Sequence, residues 1–259
     1  MDRSLENKTY LVKVSQLDKN VSYKKIAKIL YGIDPYLYKD FFGSFENSIN
    51  YIEKALDTDF SIFNKDYLHL LVQNGKIIGS AVIYPKNAEF YKNEEKNLIL
   101  KNNLEISPCF DHVSEYYKNF INNNKGMYKL ASISVDKNYR GQGYGKLIMK
   151  RIDEATNGET KYLTVLRENG RAIRTYAGDG YQIVKEFWDY YGVPSKEKVE
   201  MASCLSMLKD DNITTKKIIL PTEKILNENR KNIIIPKYEY FNNMSKNPNY
   251  FKLQGGFEK

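Results

Sequence analysis

Cysteine is scarce in this chain of 259 residues, which has only Cys109 and Cys204. Two cysteines are too few for a disulfide framework, so we interpret both as reduced thiols, with a single bridge between them as the alternative. The chain also lacks any apolar run of about 18 residues, the length that a membrane-spanning helix needs. Its first residues contain neither the apolar core nor the small-residue cleavage site of a signal peptide. These deficits predict a cytoplasmic protein without a membrane segment.

Dense clusters of basic residues are also missing, although the formal net charge is +8. The lysines are scattered along the sequence, as on a solvated surface, so nucleic-acid binding is a minor alternative. The same positive charge would favour a cofactor that carries a polyphosphate. The charge pattern therefore makes nucleic acid an unexpected partner and leaves small anionic ligands open.

Strand-like and helix-like patterns interleave through residue 208, which predicts an α/β fold with a mixed sheet. The clearest element is a hairpin, YLHLLVQNGKIIGSAVIYP, whose turn residues Asn74 and Gly75 tolerate positive φ angles. The polar segment 86–103 is predicted to be a loop or a short irregular segment. After residue 209 the sequence changes to short β-like runs separated by Pro- and Asn-rich pieces. We therefore predict one domain at 1–209 and a C-terminal extension at 210–259, which docks on the domain or on a partner subunit of a homodimer.

The stretch YRGQGYGKLIMK places Gly141, Gly143 and Gly145 at the start of an amphipathic helix pattern. Each glycine inside a helix costs about 1 kcal/mol relative to alanine, so three of them indicate that a ligand approaches the backbone. A helix start offers unpaired N–H groups and the positive end of the dipole, which suit a phosphate. Two common phosphate motifs do not match. Lys146 stands where the dinucleotide fingerprint needs glycine, and Leu147 stands where the P-loop needs Ser or Thr.

Two patterns in the chain resemble the signatures of the GNAT acyltransferase superfamily. The first is R-x-x-G-x-G, formed by Arg140, Gly143 and Gly145 after a predicted strand, and it resembles the family's coenzyme-A pyrophosphate loop. The second follows one helix and one strand later and matches at five positions, Asn169, Ala172, Tyr176, Gly180 and Tyr181. The resemblance covers roughly residues 8–209. It implies the GNAT fold, a central mixed, mostly antiparallel twisted sheet flanked by helices.

The resemblance implies that acetyl-CoA is bound by one set of residues: Ile133, Ser134, Val135, Arg140, Gly141, Gln142, Gly143, Tyr144, Gly145, Lys146, Asn169, Ala172 and Tyr176. The strand backbone of the first three is expected to pair with the pantetheine arm as an added strand would. The amides from Gly141 to Lys146 are expected to hold the pyrophosphate, with Arg140 shaping the loop. Asn169 is expected to contact the cofactor, or only to cap its helix. No metal site is expected.

By the same resemblance, Tyr176 is the expected catalytic acid, which protonates the thiolate that leaves when a neutral amine attacks the thioester. A thiol pKa near 8.5 and a phenol pKa near 10 would allow this transfer without a severe mismatch. The general base stays unassigned, because Thr164 and Lys129 stand where some members carry a glutamate. Glu168 is an alternative, as are a chain of waters and the cluster of Asp111, His112 and Glu115.

The expected function is N-acetyl transfer from acetyl-CoA to a primary amine of an unidentified acceptor, which is a small molecule, a peptide or a protein. The acceptor site is expected between the segments 30–60 and 105–125, with Tyr31, Tyr36 and Tyr38 as its walls. The alternative is a coenzyme-A-binding sensor or structural subunit without turnover, which the unassigned base and the long extension would suit. The presence of a tyrosine at position 176 favours the enzyme.

Overall fold

The computed structural model describes residues 9–17, 21–33, 38, 42, 44–106, 110–122, 124–167, 169–190 and 201–210. Within these ranges seven strands form one sheet: β1 Thr9–Lys13, β2 Leu68–Gln73, β3 Lys76–Tyr84, β4 Tyr128–Val135, β5 Lys161–Leu166, β6 Gln182–Tyr190 and β7 Met201–Lys209. Their order across the sheet is β1-β2-β3-β4-β5-β7-β6. Every neighbouring pair is antiparallel except β4 and β5, which are parallel. The expected mixed, mostly antiparallel sheet is confirmed.

Helices cover both faces of the sheet, and those with described bounds are α1 Tyr23–Ile33, α2 Phe45–Ala55, α3 Lys92–Lys101, α4 Phe110–Asn122, α5 Tyr144–Ala155 and α6 Gly170–Gly178. Consecutive strand residues point to opposite faces, and the apolar core divides accordingly. Leu70 and Val82 join one core cluster with residues of α1, α2 and α4. Their neighbours Leu71 and Ile83 join another with residues of α5. We call these two sides of the sheet the first face and the second face.

Local sequence signals explain where several elements begin and turn. The β2–β3 hairpin turns at Asn74 and Gly75, whose φ angles are +49° and +75°, as predicted. Helix α2 begins after Ser44, whose hydroxyl accepts a hydrogen bond from the Asn47 amide at 3.1 Å. A serine at this position satisfies one of the N–H groups that a helix start leaves unpaired. These two boundaries therefore follow from short-range chemistry.

The prediction of a loop over residues 86–103 is wrong, because α3 occupies Lys92–Lys101. This helix is polar on most sides, so the sequence carries little amphipathic signal for it. Tertiary contacts hold it instead. Glu95 is fully buried and accepts hydrogen bonds from the Ile62 amide at 2.9 Å and the Ser61 hydroxyl at 3.3 Å. Burial raises the pKa of Glu95 to about 8, so its carboxyl is largely protonated at neutral pH.

A β-bulge interrupts the pairing of β4 with β3. Ser132 and Ile133 of β4 together oppose the single residue Ala81 of β3, and Ser132 has a φ of +49°, which few non-glycine residues adopt. Next to the bulge, a Cβ atom on Gly79 would lie 2.5 Å from the carbonyl oxygen of Ser134. Only glycine lets β3 and β4 approach this closely.

The parallel strands β4 and β5 separate part-way along their length. Their pairing ends at Leu130 and Leu163, although β4 continues to Val135 and β5 to Leu166. On its other side β5 stays paired with β7 along its whole length. Beyond Leu130, the β5-facing backbone of β4 therefore borders an opening, which we call the β4–β5 cleft.

Some predictions fall on parts of the chain that the structure does not describe. Cys109, Tyr36, Glu168 and residues 211–259 lie outside the described ranges, so the extension and its docking stay predictions. Cys204 is a buried thiol on β7. None of the described helices has the length and apolar character needed to cross a membrane.

Candidate active site

The glycine loop connects the end of β4 to the start of α5 and lies at one end of the β4–β5 cleft. Gly141 and Gly143 have φ angles of +79° and +91°, and a Cβ atom at either position would meet no atom within 4 Å. The left-handed backbone explains the use of glycine, and the open space allows a ligand to reach the main chain. Gly145 differs, because a Cβ atom there would contact Thr175 of α6 at 3.6 Å, an ordinary distance.

The first turn of α5 presents unpaired donors beside this loop. The Gly143 carbonyl accepts hydrogen bonds from the amides of Lys146 and Leu147 at 3.0 and 3.1 Å. The amides of Tyr144 and Gly145 precede these bonds and have no acceptor within the described ranges. Such donors, at the positive end of a helix, suit an anionic ligand. The exposed side chain of Lys146 adds positive charge to the same turn.

Side chains hold the loop in shape from within. The Arg140 Nε atom donates to the Val135 carbonyl at 2.8 Å, and the Gln142 side chain donates to the Asn138 carbonyl at 2.8 Å. The Asp136 carboxylate accepts a hydrogen bond from the Asn138 amide, also at 2.8 Å. Arg140 thus makes the loop-shaping contact expected of it, while a contact of its charge with phosphate stays a prediction. These three hydrogen bonds define the shape of the loop from within.

The strand segment expected to bind the pantetheine arm lies along the cleft. Ser134 and Val135 pair with β3 on one side, and beyond Leu130 the other side of β4 has no paired strand among the described residues. An unpaired strand edge can bond the amides of an extended ligand, as it would bond another strand. The segment ends where the glycine loop begins, so the positions expected for the arm and for the pyrophosphate are continuous.

The second sequence motif lies on α6, next to the same strand. Asn169 caps this helix, because its Oδ1 atom accepts a hydrogen bond from the Ala172 amide at 3.2 Å. The capping interpretation is therefore realised, and a cofactor contact of the Asn169 side chain stays a prediction. Ala172 and Tyr176 lie one turn apart and pack, half-buried, at the edge of the second-face cluster, as Ile133 and Val135 do. The fold thus brings the two motifs together.

The environment of Tyr176 changes the expected proton chemistry. Its ring lies 5.9 Å from the ring of Tyr181, and burial raises the pKa of Tyr176 to about 12. Full proton transfer from such a phenol to a thiolate of ordinary pKa, about 8.5, would be unfavourable by about 5 kcal/mol. Burial therefore makes the proton mismatch larger than the one expected from unperturbed values. Tyr176 is suited to donate a hydrogen bond to the leaving sulfur. Transfer of its proton would be favoured only where burial also raises the pKa of the leaving thiol.

Two of the carboxylates considered as bases, Asp111 and Glu115, are solvent-exposed on α4. Asp111 forms an ion pair with Lys92 at 2.6 Å, and Glu115 forms one with Lys118 at 3.4 Å. Their exposure and their lysine partners give them the character of surface residues. The side chain of His112 lies outside the described part of the structure.

The two positions where some relatives carry a glutamate have different environments here. Lys129 is fully buried, and its ammonium donates to the carbonyls of Pro85 and Lys86 at 3.0 and 3.2 Å. Burial lowers the pKa of Lys129 to about 8. Thr164 is half-buried, and its hydroxyl lies 2.9 Å from that of Tyr116. Lys129 is held among carbonyl groups, whereas Thr164 borders the cleft.

The tyrosines expected to line the acceptor site are mostly core residues. Tyr31 is buried and packs edge-on against Phe45, with ring centroids 4.9 Å apart. Tyr38 is buried in the same first-face cluster, and its hydroxyl reaches the Ser132 hydroxyl at 3.2 Å. The expectation that these rings form open walls is therefore corrected. The hydroxyl of Tyr38 reaches Ser132 at the bulge of β4, whereas Tyr36 lies outside the described residues.

A model of the acetyltransferase (GNAT) family matches residues 35–181, more than half of the chain. The chain belongs to this family. The matched range contains the glycine loop, the cleft strands and α6, and the resemblance seen in the sequence is confirmed.

Individual relatives of this GNAT protein are distant. The N-alpha-acetyltransferase RimI of Mycobacterium tuberculosis is 30% identical over 74 residues, which are 29% of this chain and 47% of that protein. The chain therefore spans about half the length of this curated relative. A solved structure described as an acetyltransferase has 18% identity and a TM-score of 0.50, covering 73% of this chain and 94% of its own, and it shows the shared fold. An N-acetyltransferase from Staphylococcus aureus Mu50 has 17% identity and a TM-score of 0.48 over 71% and 94% of the two chains.

Two features of the cleft were not predicted from the sequence. The bulge at Ser132 leaves no pattern in the residue types, because serine seldom adopts the positive φ found there. Gly79 did carry a signal, since glycine inside a strand often marks a close backbone approach. Its partner, the Ser134 carbonyl, becomes apparent only once β3 and β4 are paired.

Proposed function

We propose that this GNAT protein transfers an acetyl group from acetyl-CoA to a primary amine. The observation that carries the proposal is the continuity of the cleft edge of β4 with a loop whose glycines leave open space beside helix-start donors. The amides of an extended pantetheine arm suit the cleft edge of β4, and the pyrophosphate at its end suits the glycine loop with its helix-start donors. The acetyltransferase family model and the name of the N-alpha-acetyltransferase relative support an amine as the acceptor.

The residues present fit the cofactor, which when bound supplies an activated thioester. The β4 backbone from Ile133 to Val135 would hold the arm, and the amides from Gly141 to Lys146 would hold the pyrophosphate. Backbone N–H groups along this part of β4 would stabilise negative charge on the thioester oxygen as the amine attacks. Tyr176 would donate a hydrogen bond to the sulfur. Catalysis then rests mainly on positioning, with the amine nitrogen losing its proton to water or to a base.

Thermal unfolding with and without acetyl-CoA tests the cofactor site. Ligand at 100 times its dissociation constant stabilises a protein by about 2.7 kcal/mol, which is several degrees in Tm. In Gly143→Asp we expect this stabilisation to be lost, because a carboxylate would face the position expected for pyrophosphate. The matched control is Gly126→Asp. Gly126 also has a left-handed φ, +82°, and open space around its Cβ position, but it precedes β4 rather than following it.

The outcomes separate three cases. Stabilisation of the wild type and Gly126→Asp, but not of Gly143→Asp, supports the cofactor site, and acetyl transfer to an amine then supports the enzyme. Stabilisation without transfer to any amine tested would favour the coenzyme-A-binding sensor. If acetyl-CoA stabilises all three proteins equally, the glycine loop does not hold the pyrophosphate and the proposal loses its main support.

A further inference from the structure

A hydrogen bond joins the glycine loop to the tip of the β2–β3 hairpin. The Gln73 Nε2 atom donates to the Tyr144 hydroxyl at 2.6 Å. Gln73 is the last residue of β2 and directly precedes the hairpin turn, whereas Tyr144 is the first residue of α5. The two residues are 71 positions apart in the chain. A tertiary contact therefore reaches the residue at which the glycine loop becomes a helix.

The ring of Tyr144 is held in the second-face cluster. It is buried there together with Leu71 of β2 and Ile78 of β3. Tyr139, which directly precedes Arg140 at the start of the loop, meets the Tyr144 ring edge-on, with ring centroids 5.7 Å apart. Packing thus fixes where the ring lies, and the hydrogen bond from Gln73 fixes the position of its hydroxyl end.

The other end of the glycine loop is bonded to the neighbouring strand. The Asp136 amide donates to the Ile78 carbonyl of β3 at 2.8 Å, directly after β4 ends at Val135. The adjacent strands β3 and β2 therefore hold the two ends of the loop. Between these ends, Gly141 and Gly143 have left-handed backbone and no described atom within 4 Å of their Cβ positions. Packing holds these two glycines weakly, so the shape of the loop depends on its ends and its internal bonds.

We infer that Gln73 is a positioning residue for the pyrophosphate of the cofactor and acts through the Tyr144 hydroxyl. The inference rests on the proposed acetyl-CoA site and adds to it a side chain that neither sequence motif contains. The amides of Tyr144 and Gly145 are helix-start donors that the pyrophosphate would meet, and the first of them belongs to the residue that Gln73 holds. Donors that are already in place bind a ligand more tightly, because binding does not have to order them.

The surroundings of this hydrogen bond argue against a contribution to stability alone. Gln73 is half-buried beside an exposed turn, so its amide can bond water when the Tyr144 hydroxyl is removed. A Tyr144→Phe protein keeps the buried ring, which supplies most of the packing. We therefore expect little change in the stability of the fold when this bond is lost. A change in cofactor affinity would then report the position of the loop.

The first experiment is a double-mutant cycle that measures the Kd of acetyl-CoA by titration calorimetry. Gln73→Met removes the donor and keeps the length of the side chain, and Tyr144→Phe removes the acceptor and keeps the ring. In each variant we expect Kd to rise by about threefold to tenfold, the effect of one hydrogen bond. The double variant should show about the same rise as either single variant, because all three lack the same bond. A wild-type Kd in the single variants, or a rise in the double variant equal to the product of the two, would overturn the inference.

The second experiment measures amide hydrogen exchange in the protein without ligand. The amides of Lys146 and Leu147 bond the Gly143 carbonyl in the first turn of α5, so their exchange rates report how firmly this turn is held. We expect exchange at these two amides to be about threefold to tenfold faster in Gln73→Met and in Tyr144→Phe. Unchanged exchange in both variants would overturn the inference.

The outcomes distinguish this inference from the proposed function. A wild-type protein that does not bind acetyl-CoA would refute the proposed function, and the inference with it. A wild-type protein that binds acetyl-CoA, with Gln73→Met and Tyr144→Phe proteins that bind it equally well, would refute the inference alone.

The matched control is Tyr162→Phe on β5. The Tyr162 hydroxyl lies 2.7 Å from the Ser206 hydroxyl, and the Tyr162 ring packs against the first-face cluster, on the opposite side of the sheet from α5. The control therefore removes a tyrosine hydroxyl bond of similar length on the other face. We expect it to keep the wild-type Kd of acetyl-CoA and the wild-type exchange in the first turn of α5. Equal weakening of acetyl-CoA binding in Tyr162→Phe and Tyr144→Phe would overturn the inference.

Discussion

Gly79→Ala tests the close packing of β3 against β4, the strand that borders the β4–β5 cleft. The new Cβ atom would lie 2.5 Å from the Ser134 carbonyl oxygen, whereas ordinary contacts of this kind begin near 3.4 Å. One of the two strands must therefore move by about 0.9 Å, the difference between these distances. Because the obstacle is backbone in the middle of a sheet, no side-chain rotation relieves it.

Overpacking of this kind costs about 1–3 kcal/mol. For a domain of this size, a loss of about 2 kcal/mol lowers Tm by about 4–8 °C. Displacement of Ser134 should also disturb the β4 edge expected to hold the pantetheine arm. We therefore expect Gly79→Ala to lower Tm and to reduce the further shift produced by acetyl-CoA.

Gly178→Ala is the control for the change of residue type. Gly178 lies in α6, and a Cβ atom there would meet nothing within 4 Å. Alanine in a helix is favoured over glycine by about 1 kcal/mol, so this variant should be neutral or slightly stabilised. Differential scanning fluorimetry with and without acetyl-CoA measures both effects. A Gly79→Ala protein that keeps the wild-type Tm and ligand shift would show that the close approach of β3 and β4 is not required.

Two further predictions concern ionisable groups. Because burial raises the pKa of Glu95 to about 8, the folded state holds a proton that the unfolded chain releases near pH 4.5. The stabilisation of the folded state by this proton is fully present below pH 4.5 and is lost as pH rises to 8. In urea titrations at several pH values, Glu95→Gln should therefore show a smaller decline in the free energy of unfolding between pH 4.5 and 8. An unchanged decline would contradict the burial argument. Tyr176→Phe should lower kcat about tenfold to 100-fold, the effect of losing one hydrogen bond to a charged sulfur, and should keep the acetyl-CoA thermal shift because the ring remains. The control is Tyr181→Phe, because the hydroxyl of Tyr181 is buried without a hydrogen-bond partner among the described residues. This variant should keep the wild-type kcat. An equal loss of kcat in Tyr176→Phe and Tyr181→Phe would assign the effect to packing.

The pKa of Tyr176 bears on how the thiolate is released. A phenol with a pKa of about 12 is protonated at any physiological pH, so its hydrogen-bonding form does not depend on pH there. We therefore expect Tyr176 to contribute no limb to a pH–rate profile near neutrality. Tyr176 would then act as a hydrogen-bond donor at every pH tested, and any pH dependence of the rate would report the ionisation of a different group.

Much of the fold could be predicted from the sequence, because its signals are local. The hairpin turn at Asn74 and Gly75, the Ser44 cap and the amphipathic pattern of α5 depend on residues within a few positions of one another. Helix α3 could not be predicted in this way. Glu95 stabilises it by bonding Ile62 and Ser61, more than thirty residues earlier in the chain.

The sequence by itself determined the family and the glycine loop, since the two motifs have fixed spacing and Gly141 and Gly143 must supply left-handed backbone. Only the tertiary structure decided the geometry around them. The separation of β4 and β5, the bulge at Ser132 and the hydroxyl contact of Thr164 with Tyr116 all depend on strands and helices distant in sequence. The burial that raises the pKa of Tyr176 likewise comes from packing. Residue types specify which groups are available, whereas long-range packing sets their distances, their solvent exposure and therefore their chemistry.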